Sequence, residues 1–147
     1  MSAPVGVFDS GVGGLSVLQE IQQLLPSESL LYVADSAYVP YGEKPPEQIR
    51  ERSRLIARFL FEQGAKALVL ACNTASTTAL SAIRNAVSVP VIGVVPAIKP
   101  AAAISRTRAI GVLGTPGTVR RQYVDGLIAD FASDCHVLLQ GSTRLVA

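Results

Sequence analysis

The sequence predicts an α/β fold, a parallel sheet flanked by helices. Two patterns carry that expectation. Short, nearly continuous apolar runs such as Val5-Gly6-Val7-Phe8 and Ala67-Leu68-Val69-Leu70 alternate with longer segments of helical periodicity. Strands that are apolar along their whole length need cover on both faces, which is the parallel-sheet arrangement with helices on either side. Small, glycine-rich or hydroxylated residues also gather where strands run into helices, as in Asp9-Ser10-Gly11-Val12-Gly13-Gly14 and Cys72-Asn73-Thr74-Ala75-Ser76. In open α/β sheets, ligands bind at the carboxyl ends of strands, so these turns are where chemistry is expected.

Residues 5–8 read as the first strand. Leu15, Leu18, Ile21, Leu24 and Leu25 recur at helical spacing, and Pro26 stops that helix. A second strand over 29–34 ends at Asp35, and a loop over 36–45 contains Pro40-Tyr41-Gly42. Pro46 suits the first turn of a helix that continues through Ile49, Leu55, Ile56, Phe59 and Leu60 to a stop at Gly64. A third strand is expected to end at Cys72, followed by a helix over 74–86 and a fourth strand over 91–95. Residues 96–105 suit either a short helix or a crossover loop. A fifth strand over 109–113 leads through Gly114-Thr115-Pro116-Gly117-Thr118 into a helix reaching Phe131, and 137–139 forms a short sixth strand. Composition shifts to Pro, Ala and Ser between Val95 and Arg108, which places a boundary there: 1–96 as one α/β lobe carrying Cys72, and 97–147 as the beginning of a second. Residues 142–147 read as the start of a helix, so the chain is expected to stop mid-fold.

With 147 residues, 49% hydrophobic and 16% charged, the chain is composed like a globular domain. At this length roughly 70% of the unfolded chain's surface is buried on folding. The net charge of +2 is scattered and aromatic residues are few, so the clustered basic face and stacking platforms of nucleic-acid binders are not expected. Apolar stretches are short and broken by proline, and Met1-Ser2-Ala3-Pro4 lacks the regions of a signal peptide. A cytoplasmic protein with reduced thiols and no membrane span is the expectation. Cys72, Cys135 and His136 are too few for a structural zinc site, so no metal is expected.

Three strand ends carry the candidate chemistry. After the first strand, three glycines at a helix start offer free backbone N–H groups, with the Ser10 hydroxyl and the Asp9 carboxylate beside them. Gly11-x-Gly13 with Asp35 downstream approaches a dinucleotide fingerprint, but Ser16 stands where the third glycine belongs. Cys72 ends an apolar strand just before a helix N-terminus, whose partial positive charge favours the thiolate. A downward shift from the unassisted value of about 8.5 would make it a usable base near neutrality. The alternative for Cys72 is a packed core thiol. Pro40-Tyr41-Gly42 supplies a phenol and an amide. Of Thr115 and Thr118, either suits a helix cap, Thr118 the better, for a helix beginning near Val119. Tyr32 and Tyr38 read as packing residues. Short polar groups and helix N-termini at several strand ends suit a small, doubly charged organic acid better than a nucleotide.

These segments, Phe8-Asp9-Ser10-Gly11-Val12-Gly13-Gly14-Leu15-Ser16-Val17, Pro40-Tyr41-Gly42, Ala71-Cys72-Asn73-Thr74-Ala75-Ser76 and Gly114-Thr115-Pro116-Gly117-Thr118, resemble glutamate racemases. They cover nearly the whole chain in family order. The resemblance implies cofactor-independent interconversion of L- and D-glutamate for peptidoglycan synthesis, between two similar α/β lobes. It also implies Cys72 as one of two thiol acid/bases. Asp9, Ser10, Tyr41, Gly42, Asn73 and Thr74 are then substrate contacts, with Thr115 and Thr118 in another part of the pocket. The family's second cysteine lies in a Cys-Thr-His segment that this chain does not contain, and Cys135, followed by His136 and Val137, does not match it. A non-catalytic domain binding a small acid, or a related racemase acting on aspartate, are the competing readings. A homodimer is left open.

Overall fold

The structure is a computed structural model and describes residues 3–146. Strands β1 (Val5–Asp9), β2 (Leu30–Ala34), β3 (Ala67–Leu70) and β4 (Val91–Gly93) form one sheet in the order β2-β1-β3-β4. Every pairing in it is parallel. A second parallel pair consists of β5 (Ala109–Gly114) and β6 (His136–Gly141). Helices α1 (Leu15–Leu24), α2 (Pro46–Glu62) and α3 (Asn73–Arg84) follow the first three strands. Helix α4 (Ile98–Ile104) connects the sheets, and α5 (Pro116–Val119) and α6 (Gln122–Phe131) connect β5 to β6.

Strand β1 is buried on both faces, as its composition requires. Side chains alternate along a strand, so Val5 and Val7 of β1 meet Val17, Leu18 and Ile21 of α1 on one face. Phe8 of β1 and Leu68 and Leu70 of β3 turn to the other, against Ile49 and Leu60 of α2 and Ile83 of α3. Between them, Gly6 has no room for a side chain: a Cβ there would lie 2.9 Å from Leu68 Cδ2. The second sheet has its own core, Ile98 and Ala102 of α4 and Val124 of α6 packed on Ile110, Val112 and Val137. Its opposite face leaves Leu113 60% and Leu138 62% exposed.

Local punctuation follows the residues that impose it. Pro46 opens α2 at a position where its missing N–H is not needed. Gly64 closes that helix with φ +83°, a conformation that side-chain-bearing residues rarely adopt. Of the two alternatives for residues 96–105, the structure has the short helix α4. Four expectations are corrected. The segment 116–131 is two helices, because Arg121 is extended (ψ 137°) and caps α6. β3 ends at Leu70, so Cys72 lies beyond the strand as the residue that caps α3. β4 stops at Gly93 rather than at Val95, although the Val94 N–H still donates to the Leu70 carbonyl at 3.0 Å. After β6, a 3₁₀ turn occupies Thr143–Val146, where a helix start was expected.

Candidate active site

Parallel pairing brings the carboxyl ends of the strands to one edge. Phe8 pairs with Leu70, and Leu70 with Gly93. Ser10 and Cys72, each two residues beyond its pairing partner, therefore arrive side by side. Their hydroxyl and sulfur lie 3.5 Å apart. A cavity of about 630 Å³ opens at this edge, between the first sheet and the turn after β5. Cys72, Asp9, Ser10, Tyr41, Gly42, Asn73, Thr74, Thr115 and Thr118 all line it.

Asp9 closes the glycine turn on itself. Its Oδ2 accepts from the Gly11 N–H at 3.2 Å and the Gly14 N–H at 3.0 Å. Gly14 is wedged so closely that a Cβ would come within 2.7 Å of Asp9 Cβ and 2.9 Å of Ala71 Cβ. The Tyr32 hydroxyl donates to the Gly11 carbonyl at 2.9 Å. The expectation for Tyr32 was packing alone; it also anchors the turn. Burial, then the negative charge of Asp9, pushes its phenol up to about 12, so it remains a donor throughout the neutral range.

Cys72 is buried, with 7% of its surface exposed. Its sulfur accepts from the Ala75 N–H at 3.4 Å and so caps α3. The expected downward shift of its pKa is not found. Burial pushes the thiol up, and the Ala75 N–H and Ser10 hydroxyl offset this only in part, while the Asp9 charge adds to the rise. The resting group is therefore a thiol. Its thiolate, once formed, is a stronger base than an unperturbed one.

The opposite wall is a cluster of hydroxyls. Thr74 Oγ1 lies 2.9 Å from Thr118 Oγ1 and 3.3 Å from Thr115 Oγ1, and the latter two are 2.9 Å apart. Thr115, rather than the expected Thr118, caps α5: its Oγ1 accepts from the Thr118 N–H, because Pro116 starts the helix three residues before Val119. Gly42 fits only as glycine, since a Cβ would lie 2.6 Å from Thr115 Cβ. Tyr41 lines the cavity, but its phenol is committed elsewhere and donates to Asp35 Oδ2 at 2.5 Å. Asp35 in turn takes a two-pronged contact from Arg52, at 2.8 and 3.0 Å. Asp35 is buried, engaged by Tyr41 and Arg52, and does not line the cavity, which removes the support for the dinucleotide reading.

Among the described residues, Asp9 is the only charged residue on the cavity wall. A carboxylate there would be held by threonine hydroxyls and by the first N–H groups of α3, which have no partner within the helix. Cys135 is remote from this edge, at the amino end of β6 and packed beside Val137. No group of three or more metal-ligating side chains occurs among the described residues. None of their helices is long and apolar enough to cross a membrane.

The sequence profile of the Asp/Glu/Hydantoin racemase family matches residues 5–142. The chain belongs to this family. It is 59% identical over 145 residues to a glutamate racemase of Ectopseudomonas mendocina and 56% identical over 146 residues to one of Stutzerimonas stutzeri. These alignments take in 98% and 99% of the chain but 55% of each relative. The chain thus spans about half the length of the curated relatives it matches. A crystal structure of Escherichia coli glutamate racemase with L-glutamate and the activator UDP-MurNAc-ala superposes with a TM-score of 0.91 at 46% identity, covering 98% of this chain and 55% of that one. The Francisella tularensis glutamate racemase solved with D-glutamate gives 0.79 at 32% identity, covering 93% and 52%. In this racemase family member, Asp35, Arg52 and Tyr32 are the residues sequence reading did not assign to the site. They lie behind the cavity wall, Tyr32 bonded to Gly11 and the Asp35–Arg52 pair to Tyr41.

Proposed function

We propose that the chain carries one face of a cofactor-independent glutamate racemase, with Cys72 as the acid/base on that face. The supporting observation is the Cys72 sulfur in a shared cavity, 3.5 Å from the Ser10 hydroxyl and within the field of Asp9. The relatives that match the chain are glutamate racemases, and two of the solved ones hold L- or D-glutamate. In this reading Ser10, Asn73, Thr74, Thr115, Thr118 and the Tyr41–Gly42 backbone hold the substrate's carboxylates, and Asp9 faces its ammonium group.

Racemisation breaks the Cα–H bond on one face and makes a new one on the other. The Cys72 thiolate takes the proton and becomes a thiol; a second thiol delivers its own proton to the opposite face and becomes a thiolate. Fixed N–H and hydroxyl donors around the carboxylate stabilise the charge that spreads into it as the proton leaves. The second thiol is not Cys135, which lies away from the cavity, and belongs in this reading to a segment outside these 147 residues. Residues 1–96 then form one lobe and 97–147 the beginning of another. Supply of D-glutamate to peptidoglycan synthesis and a cytoplasmic location complete the proposal.

The test is proton exchange. The chain in D₂O should exchange the α-proton of one glutamate enantiomer without inverting it, and Cys72→Ala should abolish that exchange. Exchange that survives Cys72→Ala, read by NMR, overturns the assignment.

A further inference from the structure

We infer that Asp35 and Arg52 are positioning residues of the substrate pocket: they act through Tyr41 to hold the Tyr41–Gly42 backbone against Thr115. The inference rests on the reading of the cavity as a glutamate site. Neither side chain lines the cavity, so neither touches the substrate.

The geometry connects them to it in three steps. Asp35 follows directly on β2, with its N–H donating to the Asp9 carbonyl at 3.0 Å, so it is fixed to the strand edge that forms the site. Its carboxylate is 6% exposed and receives Arg52 Nε at 3.0 Å, Arg52 Nη2 at 2.8 Å and the Tyr41 hydroxyl at 2.5 Å. The Arg52 guanidinium also lies over the Tyr38 ring, 3.9 Å from its centroid. One Asp–Arg pair therefore grips the 36–45 loop at two points, through a ring face at Tyr38 and a hydroxyl at Tyr41. The Tyr41 ring is 1% exposed and packs on Phe8, so displacing its hydroxyl displaces Gly42 as well.

Gly42 is where the grip reaches the pocket. Its α-carbon faces Thr115, and a Cβ at Gly117 would stand 3.0 Å from the Gly42 carbonyl oxygen. The loop is thus held between a buried ion pair on the first sheet and the α5 turn on the second. A planar, two-pronged donor is needed to reach both Asp35 oxygens while stacking on Tyr38, and lysine cannot supply it.

An ion pair that only stabilises the fold would lower the melting temperature and leave substrate affinity alone. The test therefore measures both, with a second readout that needs no substrate. Arg52→Met, Arg52→Lys and Tyr41→Phe are compared for L- and D-glutamate affinity by calorimetry, for melting temperature, and for Glu-C protease cleavage after Glu43, an exposed residue of the same loop. Affinity should fall about tenfold in Arg52→Met and Tyr41→Phe, the weight of one or two lost charge-assisted hydrogen bonds. Arg52→Lys should recover little of it. The double variant of Arg52→Met with Tyr41→Phe should lose clearly less than the sum of the two single losses, because Arg52 acts largely through Tyr41 and only the Tyr38 contact is separate. Cleavage after Glu43 should quicken in each. Unchanged affinity with unchanged cleavage in a folded Arg52→Lys or Tyr41→Phe protein overturns the inference, and so do fully additive effects. If the unsubstituted protein does not bind glutamate, the functional reading falls, and cleavage after Glu43 alone decides whether Arg52 positions the loop.

Discussion

The Ser10 hydroxyl lies 3.5 Å from the Cys72 sulfur although 62 residues separate them. The register of β1 on β3 produces this, since Phe8 pairs with Leu70 and both residues of interest lie two positions further on. A one-residue slip in that register would reverse which faces of the sheet are apolar, so core packing and site geometry are set together.

Burial raises the Cys72 pKa and the Ser10 hydroxyl works against the rise. Alkylation of Cys72 should therefore be slow at neutral pH and keep climbing above the ordinary thiol value of about 8.5. In Ser10→Ala the profile should move to still higher pH. Iodoacetamide labelling followed by mass spectrometry separates Cys72 from Cys135. A Cys72 profile that levels off near neutrality contradicts the direction of the shift.

Much of the fold was legible because apolar runs and helical periodicity are local properties. All six strands and the helices bounded by Pro26, Pro46 and Gly64 were placed within a few residues. The site motifs were legible because the turn chemistry at Asp9–Gly14 and Cys72–Ser76 is written in consecutive residues. The direction of the Cys72 shift was not. A helix N-terminus can be read from sequence, whereas the burial that outweighs it depends on how the sheet closes around the sulfur. The Asp35–Arg52–Tyr41 contact was equally hidden: Asp35 read only as the acidic residue of a near dinucleotide fingerprint, and nothing local pairs it with an arginine 17 residues on until the loop between them is folded.

The threonine cluster joins the two sheets through hydroxyls that satisfy one another. Replacing Thr74 with valine keeps the volume but removes a partner from both Thr115 and Thr118. Those two still bond each other, so the expected cost is about 1–2 kcal/mol. Urea denaturation of Thr74→Val measures it. Stability equal to that of the unsubstituted chain would mean that the cluster contributes nothing to joining the sheets.

Gly42→Ala sets a harder steric problem. The new methyl would stand 2.6 Å from Thr115 Cβ, a position next to the backbone that no rotamer change relieves. The turn after β5 must move away, so stability should fall by about 2 kcal/mol. The double variant Gly42→Ala with Thr115→Gly should regain part of that loss by vacating the space. Chemical denaturation of the three proteins tests the contact, and a single variant as stable as the unsubstituted chain would refute the close approach.

The buried carboxylate of Asp35 makes stability depend on acid. Burial opposes its ionisation, but the hydrogen bonds from Arg52 and Tyr41, with the charges of Arg52 and Lys44, outweigh that and hold it below the ordinary carboxylate range. A group whose folded pKa is lowered contributes stability above its unfolded value of about 3.9 and loses that contribution as pH falls through the folded value. The protein should therefore weaken on acidification below about pH 4, with Asp35 supplying part of the slope. Asp35→Asn should be less stable at neutral pH by about 2 kcal/mol, below the range for fully buried pairs because a quarter of the Arg52 side chain is exposed. Its stability should also change less between neutral and acid pH than that of the unsubstituted chain. Urea midpoints for the two proteins across the acid range give the comparison, and parallel curves would show that Asp35 is not held ionised by Arg52.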